Sequence, residues 1–212
     1  MLIVWGRATS VNVQKVMWAV GEIGIAHERI DVGGRFGGLD APAYLAMNPH
    51  RRVPTIDDDG VIVWESNAIV RYLAARYSEG AFWDRDPGLR AQADQWMDWM
   101  QTTLAPDFYA VFWAVVRTPA GRQGRAAIKN VTKRLTAHYE LLDRQLATRP
   151  YLVGERLSLA DIAVGVTLYR YYEMEIVRPA LSNLHDWYER LKQRPAYRDH
   201  VMISFEELRG KS

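Results

Sequence analysis

Residues 2–32 read LIVWGRATSVNVQKVMWAVGEIGIAHERIDV, and this stretch decides the fold. Leu2–Trp5 is a short apolar run closed by Gly6, the pattern of a buried strand. From Asn12 onward the apolar residues recur at helical spacing, as Val13, Val16, Met17, Val20 and Ile23, and Gly24 stands where a helix stops. His27–Val32 reads as a second strand, broken by Gly33, Gly34, Gly37 and Gly38. A strand, a helix and a strand in this order form a βαβ unit, which is almost always parallel and right-handed.

Outward from that unit the pattern continues. A short helix is expected near Asp40–Met47, then strands at Val53–Asp57 and Val61–Trp64 around Asp58-Asp59-Gly60, whose Asp-Gly step is a hairpin signal. A helix opens at Glu65 or Ser66 and runs through Ile69, Val70, Leu73 and Tyr77. The order βαβαββα closes into one sheet with helices packed on it. Ser78–Gly88 breaks the pattern, and no convincing strand follows. Leu89–Val116, Gln123–Ala147, Ser158–Tyr172 and Asn183–Gln193 carry helical spacing, with Ser158-Leu-Ala-Asp161 as a capping-box variant. The fold class is therefore α+β, with a small α/β domain at 1–80 and an all-α domain at 88–212.

Composition narrows the chemistry. The 212 residues are 49% hydrophobic and 25% charged, so wholesale disorder is excluded. No cysteine is present, which removes disulfides, thiolate nucleophiles and CxxC redox centres. The five histidines are scattered without ligand spacing, so no metal is expected. The net charge of +2 is mild. Arg117–Arg134 gathers six basic residues (Arg117, Arg122, Arg125, Lys129, Lys133, Arg134), but without a nucleic-acid module or interleaved aromatics this reads as a solvated helix face or groove wall. No apolar run nears the roughly 18–20 residues of a membrane span, and the N-terminus lacks a signal-peptide pattern. A cytoplasmic protein that binds neither membrane nor nucleic acid is expected.

Three local features point to one ligand site. In Arg52-Val53-Pro54-Thr55 a proline opens a strand. Only about 5–6% of X–Pro bonds are cis, so the residues alone favour trans. A cis bond would turn the Val53 backbone N–H and C=O outward, where an extended peptide could pair with them. Ser66, after Glu65, can cap its helix or offer its hydroxyl and the helix N-terminus to a carboxylate. Ser10-Val11-Asn12 lies between first strand and first helix, where it can cap or donate to an anion.

Jointly these motifs resemble the cytosolic glutathione S-transferases. Asn48-Pro-His-Arg-Arg-Val-Pro54 resembles that family's segment into a cis-proline. Glu65-Ser-Asn-Ala-Ile69 is similar to its γ-glutamyl-binding signature, and Ser158-Leu-Ala-Asp-Ile-Ala163 to its C-terminal capping motif. Trp5 stands where tyrosine-type members carry Tyr. Ser10, Asn12 and Lys15 resemble the bacterial serine-type branch, theta- or nu-like.

The resemblance implies a thioredoxin-like first domain that binds glutathione as co-substrate, and a homodimer. It implies that Val53 pairs with the cysteinyl backbone beside a cis Pro54, and that Glu65 and Ser66 hold the γ-glutamyl end. Arg52, with Arg51 and Arg35 as further candidates, would meet the glycyl carboxylate, which a guanidinium can grip bidentately. Ser10 and Asn12 would donate to the thiolate, with Ser10 the favoured donor. Met100, Thr103, Tyr109, Phe112 and Trp113, on the first helical hairpin, are candidates to line a pocket for a hydrophobic electrophile. The expected activity is conjugation in detoxification. Peroxidase, disulfide reductase, dehalogenase or isomerase activity on the same site, and non-catalytic carriage of hydrophobic ligands, are the alternatives.

Overall fold

The computed structural model describes residues 1–78 and 80–211, with the side chain of Arg125 outside the description. The strands are β1 (Leu2–Trp5), β2 (His27–Ile30), β3 (Thr55–Asp58) and β4 (Val61–Trp64). The helices are α1 (Val11–Ile23), α2 (Pro42–Met47), α3 (Ser66–Tyr77), α4 (Pro87–Trp99), α5 (Ala105–Phe112), α6 (Arg125–Gln145), α7 (Leu159–Gly165), α8 (Leu168–Glu173), α9 (Ser182–Lys192) and α10 (Pro195–His200). Two compact units result: Met1–Arg90 with Pro195–Ile203, and Ala91–Arg194 with the segment from Ser204.

In the first unit the sheet order is β2-β1-β3-β4, with β1 parallel to β2 and antiparallel to β3, and β3 antiparallel to β4. Strand alternation turns Leu2 and Val4 fully inward, and Val4 lies opposite the equally buried Ile56. The hairpin turns at Asp59 and Gly60, both at positive φ, as a two-residue turn of the primed kind requires.

Helix α1 differs from an ordinary amphipathic helix: every residue from Val13 to Val20 is buried. Helix α3 packs against it, and so does α10. Tyr197 of α10 meets Trp18 edge-on with ring centroids 4.7 Å apart. At Gly21 a Cβ would come within 2.8 Å of the Ala196 Cβ, so the close approach of α10 needs the missing side chain. Segment 195–203 thus belongs by packing to the first unit, whereas the sequence reading runs 88–212 as one stretch and ends its last helix at Gln193.

Residues 87–117, in the second unit from Ala91 onward, form one helical run interrupted by π-helical turns at Met100–Leu104 and Trp113–Arg117. Apolar spacing cannot reveal these, because each inserts a residue locally without ending the helix. Leu135, Tyr139 and Leu142 of α6, all of α7, and Leu184, Trp187 and Leu191 of α9 fill the interior. Tyr139 stacks on Tyr171 at 3.9 Å and donates to Thr167 Oγ1 at 2.9 Å.

The α7 capping box is formed. Asp161 Oδ2 accepts from the Ser158 N–H at 2.9 Å and from Ser158 Oγ at 2.6 Å, while Oδ1 accepts from the Leu152 N–H at 2.9 Å. Burial pushes the Asp161 carboxyl up to about 6, against the donors that favour its anion. Among the described residues no helix is long and apolar enough to cross a membrane.

Candidate functional site

The segment entering β3 is held from beneath. Tyr44 Oη of α2 donates to the Arg52 carbonyl at 2.5 Å, and Asn48 Nδ2 donates to the same oxygen and to Thr55 Oγ1, each at 3.0 Å. The Val53–Pro54 bond that follows is cis.

Helix α3 is anchored at its far end. Buried Asp58 accepts from the hydroxyls of Tyr72 and Tyr77, both at 2.7 Å, and pairs with Arg76 Nε at 3.1 Å. This fixes the helix on the β3–β4 hairpin and so places its N-terminus. Glu65 precedes that N-terminus with φ 69°, a region costing a non-glycine residue about 1–3 kcal/mol. Its carbonyl starts the helix by accepting from Ile69 N–H at 2.9 Å.

The sequence reading makes Ser66 an N-cap. In the structure Glu65 is the cap residue and Ser66 is already helical. Its hydroxyl is used sideways instead: it accepts from Lys15 Nζ at 3.1 Å and donates to Asn12 Oδ1 at 3.2 Å. Lys15 also donates to Asn67 Oδ1 at 2.9 Å. The lysine is fully buried. Burial lowers its ammonium to about 7, opposed by Glu65 and assisted by Arg71.

A cleft opens where these pieces meet, lined by Asn12, Asn48, His50, Arg52, Val53, Pro54, Glu65 and Ser66. Its volume of about 40 Å³ has room for a carboxylate or ammonium head, so most of a tripeptide would lie over the rim. Arg52, His50 and the buried Lys15 bring basic groups to it and Glu65 an acidic one, a pattern suited to a zwitterion. Six of the sequence-derived candidates meet here: Asn12, Arg52, Val53, Pro54, Glu65 and Ser66.

Three others do not line the cleft. Ser10 occupies the N-cap position of α1, where its carbonyl accepts from Gln14 N–H at 2.8 Å, yet its hydroxyl makes no capping bond. Arg51 is exposed and pairs with Asp40 at 3.0 Å. Arg35 lies in a short 3₁₀ turn over the Phe36 ring at 4.8 Å. Of the electrophile candidates, Met100 and Phe112 are buried in the helical unit, Tyr109 is half-buried, and Thr103 and Trp113 are exposed. Phe112 packs on Phe205 at 5.4 Å beneath the Arg170 guanidinium.

Sequence reasoning missed His50, Asn48 and the burial of Lys15. His50 lies beside Trp64 with the rings tilted and their centroids 4.8 Å apart, and its place in the Asn48–Pro54 motif was its signal. For Lys15 the signal was the unbroken apolar run Val16–Val20, which marks a helix packed on all sides. A second, wider groove of about 690 Å³ lies on the helical unit, between Ile128–Thr136 of α6 and Glu175–Pro179. Lys129 and Lys133 of the basic stretch form part of its wall, while Arg134 pairs with Asp107 at 2.8 Å.

Comparison with known proteins agrees with this layout. Residues 5–81 match the glutathione S-transferase N-terminal domain and residues 125–190 the C-terminal domain. The chain is 39% identical to glutathione S-transferase GstB of Escherichia coli K12, over 96% of this chain and 99% of that protein. It is 29% identical to glutathione S-transferase 4 of Zea mays, over 91% and 88% of the two chains. Among solved structures, the theta class glutathione S-transferase of Xanthomonas axonopodis pv. citri with glutathione bound superposes with a TM-score of 0.91 at 45% identity, covering 96% of this chain and 98% of that one. With both domains matched in order and a relative this similar along nearly its whole length, the chain belongs to the glutathione S-transferase family.

Proposed function

We propose how this glutathione transferase holds its co-substrate. The cleft at the start of α3 takes the γ-glutamyl end: Glu65 meets the α-ammonium, while the Ser66 hydroxyl and the N–H groups at the helix N-terminus meet the α-carboxylate. The Val53 backbone pairs with the cysteinyl residue beside Pro54. Arg52 takes the glycyl carboxylate, with Arg51 and Arg35 close enough in sequence to assist only by moving from their present partners. The observation that carries the reading is the meeting of Asn12, Arg52, Val53, Pro54, Glu65 and Ser66 around one cleft.

Chemistry then needs a thiolate. A free thiol with pKa near 8.5 is only a few per cent ionised at neutral pH, and lowering that value by about two units takes roughly 2.7 kcal/mol of differential stabilisation. Asn12 supplies an amide donor from the cleft wall at the N-terminal turn of α1, and Ser10 a hydroxyl from the residue before that helix. The thiolate's electron pair forms the new S–C bond, and either a leaving group departs with its bonding pair or an activated double bond takes up a proton. Exposed Thr103 and Trp113, with half-buried Tyr109, are the side chains we assign to the electrophile; Met100 and Phe112 support them from the interior.

The active species is a homodimer in the cytoplasm, a reading supported by the family and by exposed Val61 and Ile62 on edge strand β4. The test is calorimetric titration with glutathione, then product analysis with an activated aryl halide. Thioether is expected; glutathione disulfide or unchanged glutathione would redirect the assignment. Sedimentation should report twice the 24.3 kDa chain mass.

A further inference from the structure

An ammonium buried behind a helix-opening serine imposes a direction on the hydrogen bonds that lead away from it. Protonated Lys15 has donors and no acceptor. Its contacts at 3.1 Å to Ser66 Oγ and 2.9 Å to Asn67 Oδ1 therefore make both oxygens acceptors. The Ser66 hydroxyl has one proton, and with its oxygen committed to Lys15 that proton goes to the other side, where Asn12 Oδ1 lies at 3.2 Å. Asn12 in turn must present its oxygen to Ser66. Both N–H bonds of its amide are left for other partners, and Asn12 lines the cleft.

We propose that Lys15 is the positioning residue of the γ-glutamyl end of the cleft: it holds the Ser66 oxygen as an acceptor and so turns the one Ser66 hydroxyl proton into the cleft, onto Asn12 Oδ1 in the structure and onto the α-carboxylate when glutathione binds. The proposal rests on the glutathione reading given above. A lysine that has lost its proton gains a lone pair and can accept from Ser66, and the chain of donors can then reverse. Keeping the proton is part of the device. Glu65 favours it, whereas burial and Arg71 oppose it, and burial weighs most. His50 and Arg52 face the same cleft and act on any ligand there. A ligand carboxylate on Ser66 adds negative charge one hydrogen bond away from Lys15, so binding draws a proton onto the lysine.

Calorimetry with S-methylglutathione tests this, because the blocked sulfur cannot exchange a proton. Titrations at pH 7.0 in two buffers of different ionisation enthalpy report the protons taken up. The wild type should take up roughly 0.3–0.5 of a proton per ligand bound. Lys15→Arg keeps a donor-only cation that does not titrate; it should bind within about three-fold of wild type and lose the uptake. Lys15→Met, close in volume and neutral, should bind at least about ten-fold more weakly, also without uptake. His50 and the ligand ammonium persist in every variant, so the difference belongs to Lys15. If the larger arginine prevents folding, Lys15→Met carries the test alone. Unchanged affinity and proton uptake in Lys15→Met would overturn the proposal, as would uptake retained in Lys15→Arg. Failure of the wild type to bind S-methylglutathione would instead remove the reading of the cleft itself.

Discussion

Two serines open helices in this chain, and they have opposite fates. Ser158, at the start of α7, folds into its own helix: its N–H and hydroxyl both reach Asp161, which also takes the Leu152 N–H. Ser66, at the start of α3, gives nothing to its own helix. Its hydroxyl lies between Lys15 and Asn12, and the cap position falls to Glu65 at an unfavourable φ. One helix start is closed by the chain that makes it. The other turns its hydroxyl to the edge of a cleft, with backbone strain and a buried cation as the cost.

Breaking the closed start should have the largest effect. Asp161→Ala leaves three donors without their acceptor in a buried place, each worth about 1–3 kcal/mol. Denaturant unfolding should show a loss of about 4 kcal/mol, with glutathione affinity of the folded fraction unchanged. A loss below about 1 kcal/mol would mean that the box adds little beyond an ordinary cap.

The same pair of regions should give opposite slopes of stability against pH. Asp161 titrates near 3.9 in an unfolded chain and about 6 in the native one, so the native state holds the extra proton between these values. Its contribution is full below pH 4 and is lost as pH rises through 6. Lys15 titrates near 10.4 unfolded and about 7 native, so there the unfolded chain holds the extra proton. Stability from this group grows as pH climbs from 7 toward 10. The acid limb should be about 3 kcal/mol and the alkaline limb somewhat larger. Unfolding measured across pH should lose the acid limb in Asp161→Asn and the alkaline limb in Lys15→Met; slopes that survive these substitutions belong to other groups.

Much of this contrast was legible before any coordinates. The strand–helix–strand unit, the Asp59-Gly60 turn and the Ser158–Asp161 box follow from local rules, since alternation, periodicity and capping each act within a few residues. Helix α10 escaped because Pro195–His200 is short and polar, and only its Tyr197 enters the core. The π turns escaped because they leave the apolar stripe intact. The φ of Glu65 and the burial of Lys15 escaped for a different reason: both are imposed by packing between segments some fifty residues apart, as the Lys15–Ser66 bond shows. Local capping rules gave Ser66 a cap position that its neighbour Glu65 holds.

The open start should respond in affinity more than in stability. Ser66→Ala removes a hydrogen bond to a charged ligand group, worth about 1.5–3 kcal/mol, so glutathione should bind roughly ten-fold or more weakly. The hydroxyl makes no capping bond, so the stability cost is that of the buried Lys15 ammonium losing one of its acceptors, about 1–2 kcal/mol in unfolding and well short of the Asp161→Ala effect. Calorimetry and denaturation on the same preparation decide the matter. A stability loss with unchanged affinity would make Ser66 resemble Ser158 after all.

The smallest effect sharpens the comparison most, because it separates two residues two positions apart. Ser10 and Asn12 both stand at the start of α1, and the serine-type resemblance favours Ser10 as thiolate donor. Yet Asn12 lines the cleft and is tied to Ser66, whereas Ser10 does not line it. A single amide donor supplying about half of the required two-unit shift contributes about 1.4 kcal/mol. Asn12→Ala should therefore raise the pKa of bound glutathione, followed by thiolate absorbance, by about one unit, and slow turnover at pH 7 about three-fold, as the ionised fraction falls from about three-quarters to about one-quarter. Raising the pH should recover that turnover, since only the ionised fraction has changed. Asn12→Asp, which keeps an acceptor for Ser66 but offers the sulfur no N–H and adds a negative charge, should raise the pKa further. Ser10→Ala should move it by a few tenths of a unit at most. The reverse result, a large shift in Ser10→Ala and none in Asn12→Ala, would place the sulfur against the turn before the helix.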